Sequence, residues 1–381
     1  MHSEHAEVIG GGIGGLTTAA ALARRGWTVR LHERQPEIRT VGAGIYVWDN
    51  GLHALSEVGA FADATAGAHV GPAIEARSHT DRSLYRIAIN GPGQPRCYTL
   101  LRDRLIAALV RAAERAGVEL CTGSTALAAH PDGTVEFTDA PGVTADLVVV
   151  ADGVHSFLRD RLGIGYRRFR LRQGAARLMV PASDTALSHA DRANHHEYFH
   201  GRRRLLYIPC TADQVYLAFV ADRDDAGTVG ARIDTASWMR DFPTLEPLLA
   251  AADGPLIPWD NFEFVRLDSW SRGRVALLGD AAHAQPPYLG QGGGTAMVNA
   301  VALAAAVSRP SGAPADALPD WERAQRPDIE RTQRTSYRMR LLDAIPDAVR
   351  TPLLGLAGRT AGFTESQLAA TRMRPATSVS A

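Results

Sequence analysis

The chain has 381 residues, of which 45% are hydrophobic and 22% are charged, a composition typical of a globular protein with a substantial core. Its formal net charge is zero, so the charge balance does not favour nucleic acid or an anionic membrane as a partner. All 41 basic residues are arginine, which excludes a Schiff-base lysine, a P-loop lysine and a lysine general base.

The first predicted elements surround a glycine cluster near the start of the chain. A short apolar strand enters the cluster and a helix of small residues leaves it. Gly10, Gly12 and Gly15 have the spacing G-x-G-x-x-G, which permits a tight turn, close approach to a pyrophosphate and close helix–strand packing. A second apolar strand ends at Glu33, where an acidic residue can bind a ribose hydroxyl. This order predicts a dinucleotide site.

The next stretch alternates between glycine-rich, helical and extended patterns. The glycines from Gly42 to Ile45 indicate either a turn or a backbone that passes close to something flat or bulky. A short helix is expected over 50–58, and alternating residues between 73 and 98 predict two strands and a turn. Arg102 begins an amphipathic helix with apolar side chains on one stripe and arginines opposite.

Two further apolar runs predict strands that are buried on both faces. The run over 146–150 is followed by Asp152, and the run over 274–278 is followed by Asp280. Because ligands in open α/β sheets lie at the carboxyl ends of strands, both aspartates are expected near a ligand. A glycine run then opens a helix over 295–307, and the N-terminus of this helix can attract an anion or a polarised carbonyl.

The segment between 168 and 266 predicts a second module inserted into the first. It is dominated by strands, which we expect at 176–181, 204–209, 215–220 and 262–267. A helix is expected over 236–251, and the alternation along the strands indicates a sheet with one wet face. The remainder to about residue 345 is predicted to be helical, with the last ten residues of the chain frayed.

The glycine motif with its acidic residue and the two aspartate-terminated strands form a combination that is specific to one family. Together they resemble the class A flavoprotein monooxygenases, the single-component FAD-dependent aromatic hydroxylases, over residues 5–340. The segment 42–52 is most similar to the branch of 2-methyl-3-hydroxypyridine-5-carboxylate oxygenase-like enzymes. The segments 267–273 and 296–300 add to that similarity.

The resemblance implies an α/β fold with two domains. It implies a Rossmann-like FAD-binding domain of the para-hydroxybenzoate hydroxylase type, an inserted, mainly antiparallel β-sheet substrate domain, and C-terminal helices. The expected boundaries are 1–72, 95–167 and 268–345 for the FAD-binding domain, 73–94 and 168–267 for the substrate domain, and 346–381 for a helical or frayed tail.

The resemblance also implies how FAD would be held. The glycine motif would hold the pyrophosphate, Glu33 the adenosine ribose, and Arg102 the phosphates or the ribityl chain. Asp280 would bind the ribityl hydroxyls, and Asp152 would support the pyrophosphate region and the docking of NAD(P)H. Pro287 would lie beside the reactive edge of the flavin. The full set of expected cofactor-binding residues is Gly10, Gly12, Gly14, Gly15, Glu33, Arg34, Gly44, Arg102, Asp152, Asp280, Gly290 and Gly292.

The activity implied by the resemblance is hydroxylation of a small, electron-rich aromatic or heteroaromatic carboxylic acid, with NAD(P)H and O2, through a flavin C4a-hydroperoxide. The substrate would be a hydroxy- or aminobenzoate or a hydroxypyridine carboxylate. Oxygenolytic opening of a 3-hydroxypyridine carboxylate ring is the alternative. A flavin-dependent dehydrogenase or oxidase without oxygen insertion is a further alternative, and no metal is expected.

A small aromatic acid requires a charge partner, and the planar fork of arginine suits a carboxylate. Arg177 and Arg204 lie among apolar residues on predicted strands, and the resemblance places Arg204 and Tyr216 at the substrate. Each arginine could instead be a solvated surface group, and Tyr216 could be a core aromatic. Tyr216 and Pro287 are the expected catalytic residues.

The remaining histidines and cysteines predict no chemistry of their own. His283 is expected to be structural, and the pair His195-His196 is expected to lie on the surface. The three cysteines are far apart and typical of buried thiols in a reducing compartment. The sequence contains no apolar run long enough to span a bilayer, so the protein is expected to be cytoplasmic, as a monomer or homodimer.

Overall fold

The computed structural model describes residues 3–38, 43–185, 187–252, 256–309 and 312–374. Its strands, in chain order, are β1 (His5–Ile9), β2 (Thr28–Glu33), β3 (Gly44–Trp48), β4 (Ala73–Ser78), β5 (Ser83–Ala88), β6 (Cys97–Leu101), β7 (Glu119–Thr122), β8 (Ala126–Ala129), β9 (Thr134–Phe137), β10 (Val143–Thr144), β11 (Leu147–Val150), β12 (Tyr166–Pro181), β13 (His195–His200), β14 (Arg203–Pro209), β15 (Gln214–Asp222), β16 (Leu256–Leu267), β17 (Ser271–Arg272) and β18 (Val275–Leu277). Its α-helices are α1 (Ile13–Ala23), α2 (Asp49–Glu57), α3 (Phe61–Thr65), α4 (Arg102–Arg115), α5 (Phe157–Arg161), α6 (His189–Arg192), α7 (Thr235–Asp241), α8 (Glu246–Ala250), α9 (Asp280–His283), α10 (Gly292–Val307), α11 (Leu318–Met339), α12 (Asp347–Ala357) and α13 (Ala361–Leu368).

The first sheet has the strand order β17-β18-β11-β1-β2-β7. Its strands from β18 to β7 run parallel, and β17 pairs antiparallel at the edge. Helices α1 and α10 cover the apolar strands of this sheet. Leu16 of α1 and Met297 of α10 are fully buried in the same cluster as Leu277 of β18. The predicted Rossmann-like domain is confirmed. The carboxyl ends of β1, β2, β11 and β18 lie along one edge, which brings the predicted cofactor motifs together.

The second sheet has the strand order β16-β12-β15-β14-β13-β4-β5. All its pairs are antiparallel except β13 with β4, so the expectation of a mainly antiparallel inserted sheet is confirmed. The expected wet face is wrong for the centre of the sheet, because β15 is buried from Val215 to Asp222. Trp238, Phe242 and Leu249 cover one face, and the other face forms the wall of a cavity next to the first sheet.

Several predicted elements are present with different bounds. The helix expected over 236–251 is divided into α7 and α8 by a 3-10 turn that starts at Pro243, where proline cannot donate a backbone hydrogen bond. The strand expected at 176–181 starts ten residues earlier, at Tyr166, because β12 pairs with β15 along one part and with β16 along another. The strand expected at 262–267 likewise starts at Leu256, since β16 follows β12 along most of its length.

The prediction for His195 and His196 is wrong. The two side chains are 0% and 1% exposed, because β13 lies inside the sheet between β14 and β4. A histidine pair with polar neighbours on both sides gives no signal of such a position in the sequence. Gly42 and the last residues, 375–381, lie outside the described part of the chain.

Candidate active site

The glycine motif forms a tight loop between β1 and α1. Gly10 has a φ of +113°, and a Cβ there would lie 2.4 Å from the carbonyl oxygen of Ala151. A Cβ on Gly15 would lie 2.0 Å from the carbonyl oxygen of Gly10, so the helix reaches the strand only without a side chain at this position. A Cβ on Gly12, in contrast, would meet no protein atom within 4 Å, because Gly12 faces the cavity.

Glu33 lies beside this loop at the end of β2. Its Oε2 accepts a hydrogen bond of 2.9 Å from the backbone N–H of Gly11, and its Oε1 accepts one of 3.0 Å from that of Gln35. A carboxylate has further lone pairs for a ribose hydroxyl. Arg34, the neighbouring residue, is exposed to solvent.

Asp280 and Arg102 line the cavity from two different elements. Gly279, with a φ of +64°, turns the chain sharply from β18 into α9 and presents Asp280. Arg102 is the first residue of α4. Although Asp280 is exposed to the cavity, desolvation by the surrounding protein raises the pKa of its carboxyl, and Arg102 partly opposes that shift. The two side chains can therefore serve hydroxyl and phosphate groups of the same ligand.

Asp152 has an orphaned polar atom. Its Oδ1 is buried without a hydrogen-bond partner in the described part of the chain, and burial raises the pKa of the carboxyl although the hydrogen bond from Ser156 lowers it. A buried oxygen without a hydrogen bond is unfavourable unless a ligand donates a hydrogen bond to it. Together with the empty surroundings of Gly12, this atom indicates that the edge of the sheet is shaped for FAD.

Glycines at three positions let the backbone pack closely around the space expected for the flavin ring. Pro287–Leu289 forms a 3-10 turn that ends at Gly290, where φ is +60° and a Cβ would lie 3.1 Å from the Cβ of Tyr46. A Cβ on Gly44 would lie 2.2 Å from the Sγ of Cys210. Gly292 begins α10 and has no protein atom within 4 Å of a Cβ. The glycines at these positions therefore bring backbone, with its N–H groups, to the cavity wall.

The cavity has a volume of about 430 Å³ and extends from these motifs to the second sheet. Of the predicted substrate residues, Arg177, Arg204 and Tyr216 all line it. Arg177 donates a hydrogen bond of 3.0 Å to the carbonyl oxygen of Ala175. Burial raises the pKa of the Tyr216 hydroxyl, and the nearby charge of Arg177 lowers it in part.

Arg204 lines the cavity as an ion-paired side chain. Its Nη1 donates to Oε1 of Glu197 at 2.6 Å, and its Nη2 donates to Oδ1 of Asp343 at 2.9 Å. Arg204 and Asp343 are each 2% exposed. Although burial lowers the pKa of the guanidinium, Asp343 and Glu197 outweigh that effect and raise it. The charge of Arg204 is therefore balanced by two carboxylates within the protein.

Residues that the sequence did not reveal continue this polar cluster. Gln173 donates to Oδ2 of Asp343 at 2.6 Å, and its Oε1 accepts from the hydroxyl of Tyr288. Gln285 lines the cavity, and both polar atoms of its amide are buried without a partner in the described chain. Tyr288 and Gln285 lie within two residues of Pro287, so their proximity to that residue in the sequence is the signal that could have found them.

His283 occupies the structural position expected for it. It is 3% exposed, and its Nε2 lies 3.0 Å from the side-chain amide nitrogen of Asn299. Burial lowers the pKa of His283 to about 4. Trp270 lies against the imidazole ring, with the two ring centres 5.2 Å apart. The residue therefore joins α9 to α10 rather than facing the cavity.

The fold and the site define a flavoprotein with a cofactor groove at the sheet edge and a substrate cavity below it. The family model described as FAD binding domain matches residues 4–333, and the chain belongs to this family of FAD-dependent monooxygenases. The resemblance to class A monooxygenases is thereby confirmed.

Three known proteins illustrate the relationship. The chain is 63% identical to a 2-heptyl-3-hydroxy-4(1H)-quinolone synthase of Mycobacteroides abscessus over 97% of this chain and 98% of the relative. It is 59% identical to a probable enzyme of the same name from Rhodococcus erythropolis over 98% of each chain. Among solved structures, 2-methyl-3-hydroxypyridine-5-carboxylic acid oxygenase in its tetrameric form superposes with a TM-score of 0.87, at 37% identity and 98% coverage of each chain.

Among the described helices, none combines the length and the apolar character that crossing a membrane requires. The oligomeric state stays a prediction.

Proposed function

We propose that this enzyme hydroxylates a 2-alkyl-4(1H)-quinolone at C3, with O2 as the oxygen source and NAD(P)H as the reductant. The C3–H bond is replaced by a C3–OH bond. One oxygen atom of O2 enters the product and the other leaves as water, while NAD(P)H supplies two electrons and solvent supplies a proton. FAD, when bound, supplies the activation of O2.

The observation that carries the proposal is the 63% identity, over nearly the whole chain, to an enzyme named for 2-heptyl-3-hydroxy-4(1H)-quinolone. The chemistry agrees with that substrate, because C3 of a 4-quinolone receives electron density from the ring nitrogen through the enaminone. An electron-rich carbon of this kind suits electrophilic oxygen transfer. The quinolone therefore replaces the benzoate or pyridine carboxylate that the sequence alone suggested.

The pairing of Arg204 favours a neutral substrate over one whose carboxylate binds this arginine. Arg204 is paired with Glu197 and Asp343, so a substrate carboxylate would have to compete with two buried carboxylates for it. Breaking a buried ion pair is strongly unfavourable. We assign to Arg204 the role of a wall residue that holds Glu197 in place. Arg177 and Tyr216 would donate hydrogen bonds to the quinolone carbonyl oxygen.

Glu197 is the candidate group for moving a proton. A proton must leave the quinolone when oxygen enters, and the Glu197 side chain lines the cavity with 15% of its surface exposed. Burial raises the pKa of Glu197, while Arg204 opposes the shift. A carboxylate with a raised pKa is better matched to general-base catalysis near neutral pH than an ordinary one.

The cofactor residues are proposed as the sequence predicted them. Gly10, Gly12, Gly14 and Gly15 would hold the pyrophosphate, with Asp152 nearby. Glu33 would bind the adenosine ribose, with Arg34 beside it on the exposed side. Arg102, Asp280, Gly290 and Gly292 would hold the ribityl chain and the flavin. Gly44 would give the ring room, and Pro287 would exclude water from its reactive edge.

The proposed domain boundaries also follow the sequence prediction. The FAD-binding domain would comprise 1–72, 95–167 and 268–345, and the substrate domain 73–94 and 168–267. The position of β4 and β5 in the same sheet as β12 to β16 supports this division. Residues 346–381 would form the tail, whose helices α12 and α13 lie against the substrate domain.

The test is oxidation of NADH or NADPH by the FAD-loaded enzyme with a panel of 2-alkyl-4-quinolones and hydroxypyridine carboxylates under ¹⁸O₂. A quinolone product with an intact ring and one labelled oxygen is expected. Two labelled oxygens in a ring-opened pyridine product would instead establish ring opening, the alternative that the sequence resemblance implies. Substrate oxidation without label would identify a dehydrogenase or oxidase.

A further inference from the structure

The two ends of the substrate cavity differ in character. One end is polar and contains Arg177, Arg204, Tyr216 and Glu197 on neighbouring strands. The other end reaches the edge strands β4 and β5. We call this end the tail pocket and define it by the residues Trp48, Ile74, Tyr85, Ile87 and Leu368.

The wall of the tail pocket follows from the register of the sheet. Ile74 pairs with Ile87 across β4 and β5, and Ala76 pairs with Tyr85 two residues along, so their side chains share one face. Ala76 also lies opposite Glu197 in the parallel pair with β13. The apolar wall therefore continues directly from the polar end, on the same face of the same sheet.

The C-terminal helices close the tail pocket from above. A Cβ on Gly358, just after α12, would lie 2.3 Å from the Cβ of Tyr85, so the backbone packs directly onto β5. The rings of Tyr85 and Phe363 make an edge-to-face contact with centres 5.1 Å apart. Leu354 is 1% exposed, and Leu368 packs against the same cluster as it and lines the cavity.

We propose that the tail pocket binds the alkyl chain of the substrate and that Leu368 on α13 limits the chain length that fits. This inference rests on the proposed function, in which the quinolone ring lies at the polar end beside the flavin. The wall is hydrocarbon and aromatic, and α12 and α13 cover it. Each further methylene buried there lowers the dissociation constant about fourfold.

The experiment compares 2-methyl-, 2-heptyl- and 2-undecyl-4(1H)-quinolone with the FAD-loaded wild-type enzyme and with Leu368→Trp and Leu368→Ala. The matched control is Leu356→Trp, because Leu356 is 66% exposed on α12 and outside the pocket. Dissociation constants are measured from the perturbation of the flavin spectrum, and kcat/KM from product formation. FAD content and Tm establish that each variant is folded.

In the wild type the heptyl compound is expected to bind at least tenfold more tightly than the methyl compound. Leu368→Trp is expected to lower the heptyl-to-methyl ratio of kcat/KM at least tenfold, and Leu368→Ala to raise the undecyl-to-heptyl ratio. Leu356→Trp should leave both ratios at the wild-type value. Equal effects of Leu368→Trp on all chain lengths, or no effect, would overturn the tail pocket.

The outcomes separate this inference from the proposed function. Hydroxylation of all quinolones without a preference for chain length would retain the function and overturn the tail pocket. Tighter binding of the heptyl compound without oxygen insertion would retain the pocket and overturn the function. A wild-type enzyme that neither binds nor oxidises any quinolone would overturn both.

Discussion

The guanidinium of Arg204 and the carboxylate of Asp343 form a buried ion pair with an N–O distance of 2.9 Å, although 139 residues separate them in the chain. The pair joins β14 of the substrate sheet to the 3-10 turn that follows α11. Glu197 accepts a further hydrogen bond from Arg204, and Gln173 donates one to Asp343. This pair fixes the position of the polar end of the cavity relative to the C-terminal helices.

Asp343→Ala is expected to reduce the free energy of unfolding by about 1–3 kcal/mol, because it leaves donors of Arg204 and Gln173 without a hydrogen-bond partner while Glu197 still balances the charge of Arg204. The measurement is urea denaturation of the FAD-loaded enzyme. Asp320→Ala is the control, since Asp320 and its partner Arg323 are 66% and 75% exposed. An exposed pair contributes about 0–1 kcal/mol. Equal losses in the two variants would contradict the role of the buried pair.

Glu197→Gln tests the proton acceptor. Loss of a general base is expected to lower kcat by about 10²-fold or more and to remove the acidic limb of the pH–rate profile, because the raised pKa of Glu197 no longer has to be exceeded. Glu75→Gln on the neighbouring strand is the control, since Glu75 is buried at 6% exposure and paired with Arg77. An unchanged pH profile in Glu197→Gln would limit Glu197 to a structural role.

Gly12→Ala is expected to weaken FAD binding at least about tenfold, because the added methyl group meets no protein atom and enters the space expected for the pyrophosphate. The measurement is the FAD dissociation constant from fluorescence quenching, with the Tm of the cofactor-free protein as a test of folding. Gly362→Ala in α13 is matched, since its Cβ would also meet no protein atom within 4 Å. Unchanged FAD affinity in Gly12→Ala would place the pyrophosphate elsewhere.

His195 makes the fold sensitive to acid. Burial lowers its pKa to about 3, so the imidazole stays neutral in the folded protein while the unfolded chain takes up a proton below about pH 6.5. The contribution of neutral His195 to the free energy of unfolding is therefore fully present above pH 6.5. It is lost as the pH falls from 6.5 toward 3. At pH 5 the loss is about 2 kcal/mol.

His195→Phe should remove that part of the difference in unfolding free energy between pH 7 and pH 5. His130→Phe, with a side chain that is 46% exposed, should leave the difference as in the wild type. If His195→Phe retained the full pH dependence, the acid sensitivity would have to come from other groups.

Arg177→Gln distinguishes a neutral substrate from an acid. If Arg177 donates a hydrogen bond to a carbonyl oxygen, its loss should lower kcat/KM for the quinolone about 13- to 160-fold, the equivalent of one hydrogen bond from a charged donor. A carboxylate partner would instead give a loss of more than about 160-fold. Arg167→Gln, at an exposed position on the same strand, is the control. Initial rates over a substrate series provide the measurement.

The sequence by itself determined the cofactor half of this protein. The cofactor motifs are local features, and each restricts the conformation of the backbone near it. They are the spacing of Gly10, Gly12 and Gly15, the acidic residue Glu33, and the strand ends before Asp152 and Asp280. Parallel strands then bring their carboxyl ends to one edge, so residues distant in the chain converge without further information. The fold class was implied by the family resemblance that these motifs carry.

Only the tertiary structure decided the substrate half. Whether Arg204 is free or paired depends on Asp343, which reaches it from a turn whose position no local pattern encodes. The burial of His195 depends on the strands that happen to flank β13. The tail pocket likewise requires α13 to fold back on β5. These features depend on contacts between segments far apart in the chain, and charge pairing and burial are properties of those contacts rather than of any short stretch of sequence.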